Sequence, residues 1–330
     1  MLFRSRAEVG SALEVHDGHH SVRVLNSNGL RAASRAPRSV PLWSPVVELG
    51  SSAIPATKAC PKSSKRQLEI EDAVPLVAAC PHGVKGKITM STYVLVHGAW
   101  HTGRELAPVA VLIEAAGHKV FTPTIKGNGA KDAKTVGLTE AIGSIVDYMI
   151  VTDLRDVVLV GHSYGGMVIT GVADTLPDRI RRLVYWNAFV PNSGESLMDM
   201  LPPQFVQLFA TMAAERGDGS VVLPFPIWRE AFINDADLDT AERAYGVLNP
   251  HPLRTLTDKI SLKVNPAEMT VGKSYVNCTE DTSMPHQYPW HPRLSQKLGL
   301  FRLIQVPGSH ELCFSNPARL AHALMDAGRD

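Results

Sequence analysis

The chain has 330 residues, 45% hydrophobic and 20% charged, with a formal net charge of +1. That balance gives no electrostatic reason to expect a nucleic acid or an anionic membrane surface as partner. No run approaches the roughly 18 consecutive apolar residues of a spanning helix. The four cysteines (60, 80, 278 and 313) include no CxxC pair, and they read as reduced thiols in the cytoplasm rather than as a disulfide framework or a zinc site.

Residues 1–89 differ from the rest. They hold 12 Lys and Arg against 7 Asp and Glu, and only two aromatics, Phe3 and Trp43, beside 7 prolines and 11 serines. Such a stretch cannot bury enough apolar surface to offset its ordering entropy, so it reads as a disordered extension or as a start placed too far upstream. It opens without the apolar core of a secretory signal, and Glu8, Glu14 and Asp17 argue against a transit peptide. Met90 opens the stretch that reads as a domain, residues 90–330.

From there the pattern alternates. "STYVLVHGAW" predicts a buried strand running into a Gly-containing loop, and "LAPVAVLIEAAGHK" a helix stopped at Gly117. "HKVFTPT" predicts a strand, "LTEAIGSIVDYMIV" a helix capped at Thr139 or a neighbour, "RDVVLVG" a strand and "MVITGVADTL" a helix ended by Pro177 and Asp178. "IRRLVYWNAFV", "KSYVNCTED" and "FRLIQVPG" predict further strands, and "NPARLAHALMDAG" a closing amphipathic helix. Apolar strands alternating with helices imply a mostly parallel sheet covered on both faces. Residues 193 to about 270 break the rhythm with many Met, Phe, Trp and Pro residues and no clean strand. Too long for a loop, they read as a helical cap inserted over the sheet.

The chemistry centres on Gly161-His162-Ser163-Tyr164-Gly165, a G-x-S-x-G pentapeptide between a predicted strand and a predicted helix. The glycines let strand and helix backbones approach, and the sharp turn lifts the serine hydroxyl above the sheet. A serine hydroxyl needs a base oriented by a third group, expected in the chain order Ser, Asp or Glu, His. His310, in the loop after the last strand, fits the base. Asp281 fits the acid, with its neighbour Glu280 as a rival, and Asp258, Asp235 and Asp237 as weaker ones. Side chains alternate along a strand end, so only one of Glu280 and Asp281 can face His310. The amides of Tyr164 and Ala99 are the expected oxyanion donors, with Gly98 admitting the substrate carbonyl. His97 reads as a brace for that loop and Cys278 and Cys313 as packing residues. Position alone nominates Trp100, Trp186, Phe189, Phe225 and Trp228 as pocket residues, favouring an apolar substrate. No ligand-spaced cluster or phosphate-binding glycine loop is seen, so neither metal nor cofactor is implied.

With "YVLVHGAW", "AAGHKVFTP", "DVVLVGHSYGGMV", "VNCTEDTSMP" and "VPGSHELCFSNP" in place, residues 92 to 328 resemble the α/β-hydrolase superfamily. Within it they resemble the branch of plant methylesterases and hydroxynitrile lyases with their bacterial esterase relatives. The resemblance implies an α/β-hydrolase fold with a cap, a Ser163–His310–Asp281 triad, an Ala99/Tyr164 oxyanion hole and a small-molecule ester as partner. It leaves a homo-oligomer open. Arg104 departs from the aromatic usual in plant members, which bears on the pocket wall. The lyases of this branch carry a lysine after the catalytic histidine and a threonine in the first loop. Glu311 and Gly98 stand there instead, so hydrolysis of a small-to-medium apolar ester is expected over cyanohydrin cleavage. A non-catalytic receptor or a cofactor-free dioxygenase on the same scaffold is a remoter alternative.

Overall fold

The computed structural model describes residues 90–330, and the expectation for residues 1–89 lies outside them. Six strands form one parallel sheet in the order β2-β1-β3-β4-β7-β8: β1 Thr92–Val96, β2 Lys119–Phe121, β3 Val157–His162, β4 Ile180–Trp186, β7 Gly272–Cys278 and β8 Arg302–Val306. Helices α1 (Ala107–Ala115), α2 (Leu138–Val151) and α3 (Gly165–Thr175) fall between the early strands, and α6 (Pro317–Gly328) follows β8. Alternation along each strand divides the core in two. Tyr93, Leu95, Val158, Val160, Val184 and Trp186 face one way, packing with Val109, Ile113, Leu320 and Leu324 of α1 and α6. Val94, Leu159, Leu183 and Tyr185 face the other way, packing with Ile145, Met149, Val168 and Val172 of α2 and α3.

The element starts follow local chemistry. Helix α2 is capped at Gly137 rather than at Thr139, because the Glu140 carboxylate reaches back to accept the Gly137 amide at 2.8 Å. The long span between β4 and β7 holds α4 (Pro203–Arg216), α5 (Leu238–Tyr245) and a two-stranded antiparallel pair, β5 (Ser220–Val221) with β6 (His251–Pro252). That pair was not legible as strand, since two residues are too few for alternation to show. Phe209, Leu223, Ile233 and Leu256 join this span to the core on the α2–α3 side. Among the described residues no helix is long and apolar enough to cross a membrane.

The parallel sheet brings the ends of β1, β3, β4, β7 and β8 to one edge, where β3 pairs with β4 as far as His162↔Trp186. Helix α3 is admitted to that edge only because three glycines line its approach. A Cβ on Gly161 would lie 2.7 Å from Gly165 O, one on Gly165 2.7 Å from Val96 O, and one on Gly166 2.1 Å from Phe189 O. These obstacles are backbone atoms, which cannot swing aside. Gly143, inside α2, meets nothing within 4 Å. Gly166→Ala is therefore expected to destabilise the fold by about 1–3 kcal/mol through overpacking. Gly143→Ala is expected to stabilise it by about 0.5–1 kcal/mol through helix propensity. Urea unfolding of the two variants beside the wild type measures both, and midpoints moving in the same direction would contradict this account.

Candidate active site

At the end of β3 the chain turns sharply into α3, and Ser163 sits on that turn with φ +52°. This left-handed backbone is costly for a residue with a Cβ. Backbone hydrogen bonds hold it: Ser163 N donates to Trp186 O at 3.2 Å, and Ser163 O accepts from Gly166 N at 3.0 Å and Phe189 N at 3.1 Å. The residue lines a cavity whose wall also includes Ala99, Tyr164 and His310. The amides of Ala99 and Tyr164 have no hydrogen-bond partner among the described residues, which leaves two N–H groups available beside the serine.

His310 lies in the loop after β8 and is 1% exposed. Its Nδ1 donates to Asp281 Oδ2 at 2.7 Å, which fixes the tautomer and leaves Nε2 as the proton acceptor. Asp281 is fully engaged: Oδ1 accepts from Ser283 N at 2.8 Å and from Ser283 Oγ at 2.6 Å, and Oδ2 also accepts from Asn187 Nδ2. Asn187 follows β4 with φ +36°, a conformation asparagine tolerates, and its Oδ1 accepts from Cys278 N at 2.6 Å. Glu280 points to solvent instead, as alternation at a strand end requires. Trp290 stacks on the His310 ring with centroids 5.1 Å apart, and Phe232 meets it edge-on at 5.3 Å. Burial pulls the His310 pKa down, but the charge and hydrogen bond of Asp281 and the charge of Glu311 outweigh it, and the balance is upward.

Around this group lies a set of buried neutral imidazoles. His97 Nδ1 donates to Gly98 O at 2.8 Å while its Nε2 accepts from Ile125 N at 3.0 Å, so it braces the first loop. His162 Nε2 donates to His310 O at 3.0 Å, and its ring stacks on Trp186 at 3.8 Å. His251 lies between Asn128 and Thr255. Among the described residues His162, His310 and Glu311 form the one group whose donor atoms converge, all within 4.8 Å of one another. Nδ1 of His310 and Nε2 of His162 are already committed to Asp281 and to a carbonyl. One nitrogen of each ring is thus spent on the hydrogen bonds that orient His310.

Several nominated pocket residues lie elsewhere. Trp100 and Phe189 do line the cavity, but Trp186 does not: as the last residue of β4 it points to the α1–α6 face, opposite Tyr185. Trp228 is fully buried behind the wall, with Nε1 donating to Ala241 O at 3.0 Å. Phe225 packs on Tyr245 outside the lining. A Cβ on Gly98 would lie 2.9 Å from His162 Nδ1 and 3.2 Å from Ser163 Cβ, so glycine is needed there for packing against the elbow, and a threonine would not fit without a shift. Arg104 is exposed and takes no part in the wall. Glu311 is buried against His101 rather than facing the cavity. Residues the sequence did not single out supply most of the wall, among them Leu201, Phe205, Phe209, Met284 and Trp290. Asp258 instead accepts Leu138 N at the start of α2, Asp237 caps α5, and Asp235 accepts from Ser309 N at 3.0 Å.

The sequence pattern of the alpha/beta hydrolase family matches residues 93–323. A carbendazim hydrolyzing esterase from Nocardioides sp. (strain SG-4G) is 34% identical over 250 residues, 72% of this chain and 100% of that protein. Salicylic acid-binding protein 2 of Nicotiana tabacum is 26% identical over 265 residues, 71% of this chain and 95% of its own. Among solved structures, an extracellular alpha/beta-hydrolase from a Paenibacillus species, described as sharing structural and functional homology with the tobacco protein, superposes with a TM-score of 0.71. It is 37% identical and covers 73% of this chain and 100% of its own. The chain belongs to the alpha/beta hydrolase family, and it is an enzyme of the esterase branch.

The buried imidazoles set the response to acid. Burial lowers His97 from the 6.5 of an ordinary imidazole to about 3, and lowers His162 and His251 well below that ordinary value. Each takes up a proton near 6.5 in the unfolded chain but stays neutral when folded, so its stability is complete above 6.5 and is lost as pH falls toward the folded value. His310 and Glu311, both raised, oppose the trend but are two against three. The melting temperature should hold above about pH 7 and decline steadily toward about pH 5. A scan of melting temperature against pH that stays flat or rises on acidification would contradict the neutral burial.

Proposed function

We propose that the chain hydrolyses a small-to-medium, uncharged, apolar carboxylic ester through an acyl-enzyme on Ser163. The observation that carries this reading is the Asp281–His310 hydrogen bond at 2.7 Å, with His310 lining the same cavity as Ser163 and as Ala99 and Tyr164, whose amides have no partner among the described residues. Ser163 Oγ attacks the ester carbonyl as His310 Nε2 takes its proton. The oxyanion develops between the amides of Ala99 and Tyr164. His310 then returns the proton to the departing alcohol, and water repeats the sequence on the acyl group. Asp281, held by Asn187 and Ser283, keeps the imidazole in the tautomer this needs. Ser163 Oγ has no hydrogen-bond partner among the described residues. Nucleophile–base contacts are commonly looser in ligand-free sites and tighten when substrate binds.

The wall argues the substrate class. Leu201, Phe205, Phe209, Leu223, Ile227 and Met284 surround the serine, and the lining includes no lysine, arginine or carboxylate. Ser283, the other serine there, is spent on Asp281 and on Trp290 Nε1. A charged substrate would enter without a counter-ion, at a cost of several kcal/mol. Similarity to an esterase 34% identical over its whole length agrees with ester hydrolysis. The lyase alternative loses support at Gly98, where a Cβ would lie 2.9 Å from His162 Nδ1 and a hydroxyl-bearing side chain would need a shift to fit.

Ser163→Ala is expected to abolish ester turnover while leaving the melting temperature within a few degrees, and turnover near the wild-type rate would remove the proposed nucleophile. Asp281→Asn should lower kcat by on the order of 10⁴-fold, while Glu280→Gln should leave it nearly unchanged. Steady-state kinetics on one aryl ester decides between them. Across an ester panel, a neutral aryl or alkyl ester should exceed its carboxylate-bearing half-ester in kcat/KM by at least about 100-fold, from the penalty of burying an unpaired charge. Equal rates would mean the wall does not select as argued.

A further inference from the structure

The proposed reaction uses one carboxylate, Asp281, yet a second one lies beside the same imidazole. Glu311 is 2% exposed, and one of its oxygens falls within 4.8 Å of a ring nitrogen of both His310 and His162. Its Oε2 lies 3.4 Å from His101 Nε2 and accepts from the Cys313 thiol at 3.7 Å. His101 has one way to meet it: its Nδ1 donates to Ala99 O at 2.7 Å, so only Nε2 faces Glu311, and that atom has no hydrogen-bond partner among the described residues. Trp228 and Phe314 pack on the His101 ring, at 5.9 and 5.7 Å, and shield the pair from water.

We propose that Glu311, braced by His101, is a positioning residue that supports the protonated imidazole of His310, as a second carboxylate acting on the base from the adjacent position in the chain. This rests on the serine-esterase reading above. When His310 takes the Ser163 proton, the new imidazolium lies between Asp281, which is hydrogen-bonded to it, and Glu311, which acts through space. An ionised Glu311 places its negative charge next to His310, with His101 Nε2 3.4 Å from the same carboxylate. In a buried, water-poor setting such a charge acts far more strongly than at a surface.

The groups facing this pair come from every element packed on it. They are His101 from the loop after β1, His162 from the elbow, Asp281 and His310 from the loops after β7 and β8, and Cys313 from the turn before α6. Asp235, which accepts from Ser309 N, lies in the next layer, as does Glu105, whose charge acts on Cys313. The charge of Glu311 is one of the influences that raise His310, and burial raises Glu311 itself while His101 and His310 hold it down. Removing the carboxylate should therefore lower the affinity of His310 for its proton.

The test reads the His310 ring directly, by NMR titration of the Ser163→Ala protein with and without a second change at Glu311. Glu311→Gln, and Glu311→Leu as the apolar alternative, should each lower the His310 pKa by about one unit, a tenfold change in proton affinity. Glu311→Asp, which keeps the charge, should stay nearer the parent than either. With Ser163 intact, the acid limb of kcat/KM should move down with the ring pKa in Glu311→Gln, which a purely structural role would not produce. An unchanged or raised His310 pKa in the neutral variants would overturn the proposal. So would failure of both neutral variants to fold while Glu311→Asp folds. If the wild type shows no Ser163-dependent ester turnover, the esterase reading falls and the ring titration still judges Glu311.

Discussion

The arrangement depends on one strained backbone, Ser163 held at φ +52° between β3 and α3. A left-handed residue with a side chain persists only where its surroundings over-determine it. Here Trp186, Gly166 and Phe189 fix its two backbone groups, and Gly161, Gly165 and Gly166 remove the atoms that would push the helix away. The same turn places Ser163 and Tyr164 in the lining of the cavity. It also aims His162 back at the carbonyl of His310. Strand, helix, candidate nucleophile and candidate base are thus tied together by a few residues. A relaxed turn would displace them jointly.

The first loop is bound to this turn and to the insertion at once. Trp100, itself left-handed at φ +65°, donates from Nε1 to Val221 O at 3.0 Å and accepts Asn249 N on its carbonyl at 2.7 Å. Its ring meets Phe209 and Phe232 edge-on. The residue beside a proposed oxyanion donor is therefore held by the segment between β4 and β7, and the cavity wall and the loop at Ala99 form one packed unit. Pre-organised donors are worth most where reorganisation is small, which is the physical sense of spending aromatic packing at this point.

The sequence carried the framework further than it carried the pocket. Six strands, their helices, the elbow and the positions of His310 and Asp281 were legible because each depends on local pattern or on chain order. The choice between Asp281 and Glu280 was narrowed by alternation to a single side chain, and the structure turns Asp281 inward. Trp186 was misread as a pocket residue because strand position alone does not give its face, and one residue earlier, Tyr185, points the other way. Asn187, Ser283, Trp290 and His101 left no local signal, since each acts through contacts with residues distant in the chain. Asn187 reaches Asp281 across 94 positions and His101 reaches Glu311 across 210. Glu311 was noted for its identity, but its burial against His101 was a matter of packing alone.

The central claim is that acyl transfer passes through Ser163. Intact-mass spectrometry of enzyme acid-quenched during turnover of a slowly deacylated aryl ester tests it most directly. The account predicts a mass increase equal to the acyl group, located by peptide mapping on Ser163 alone and decaying as water completes the cycle. Sustained turnover with no adduct, or an adduct on another residue, would contradict it.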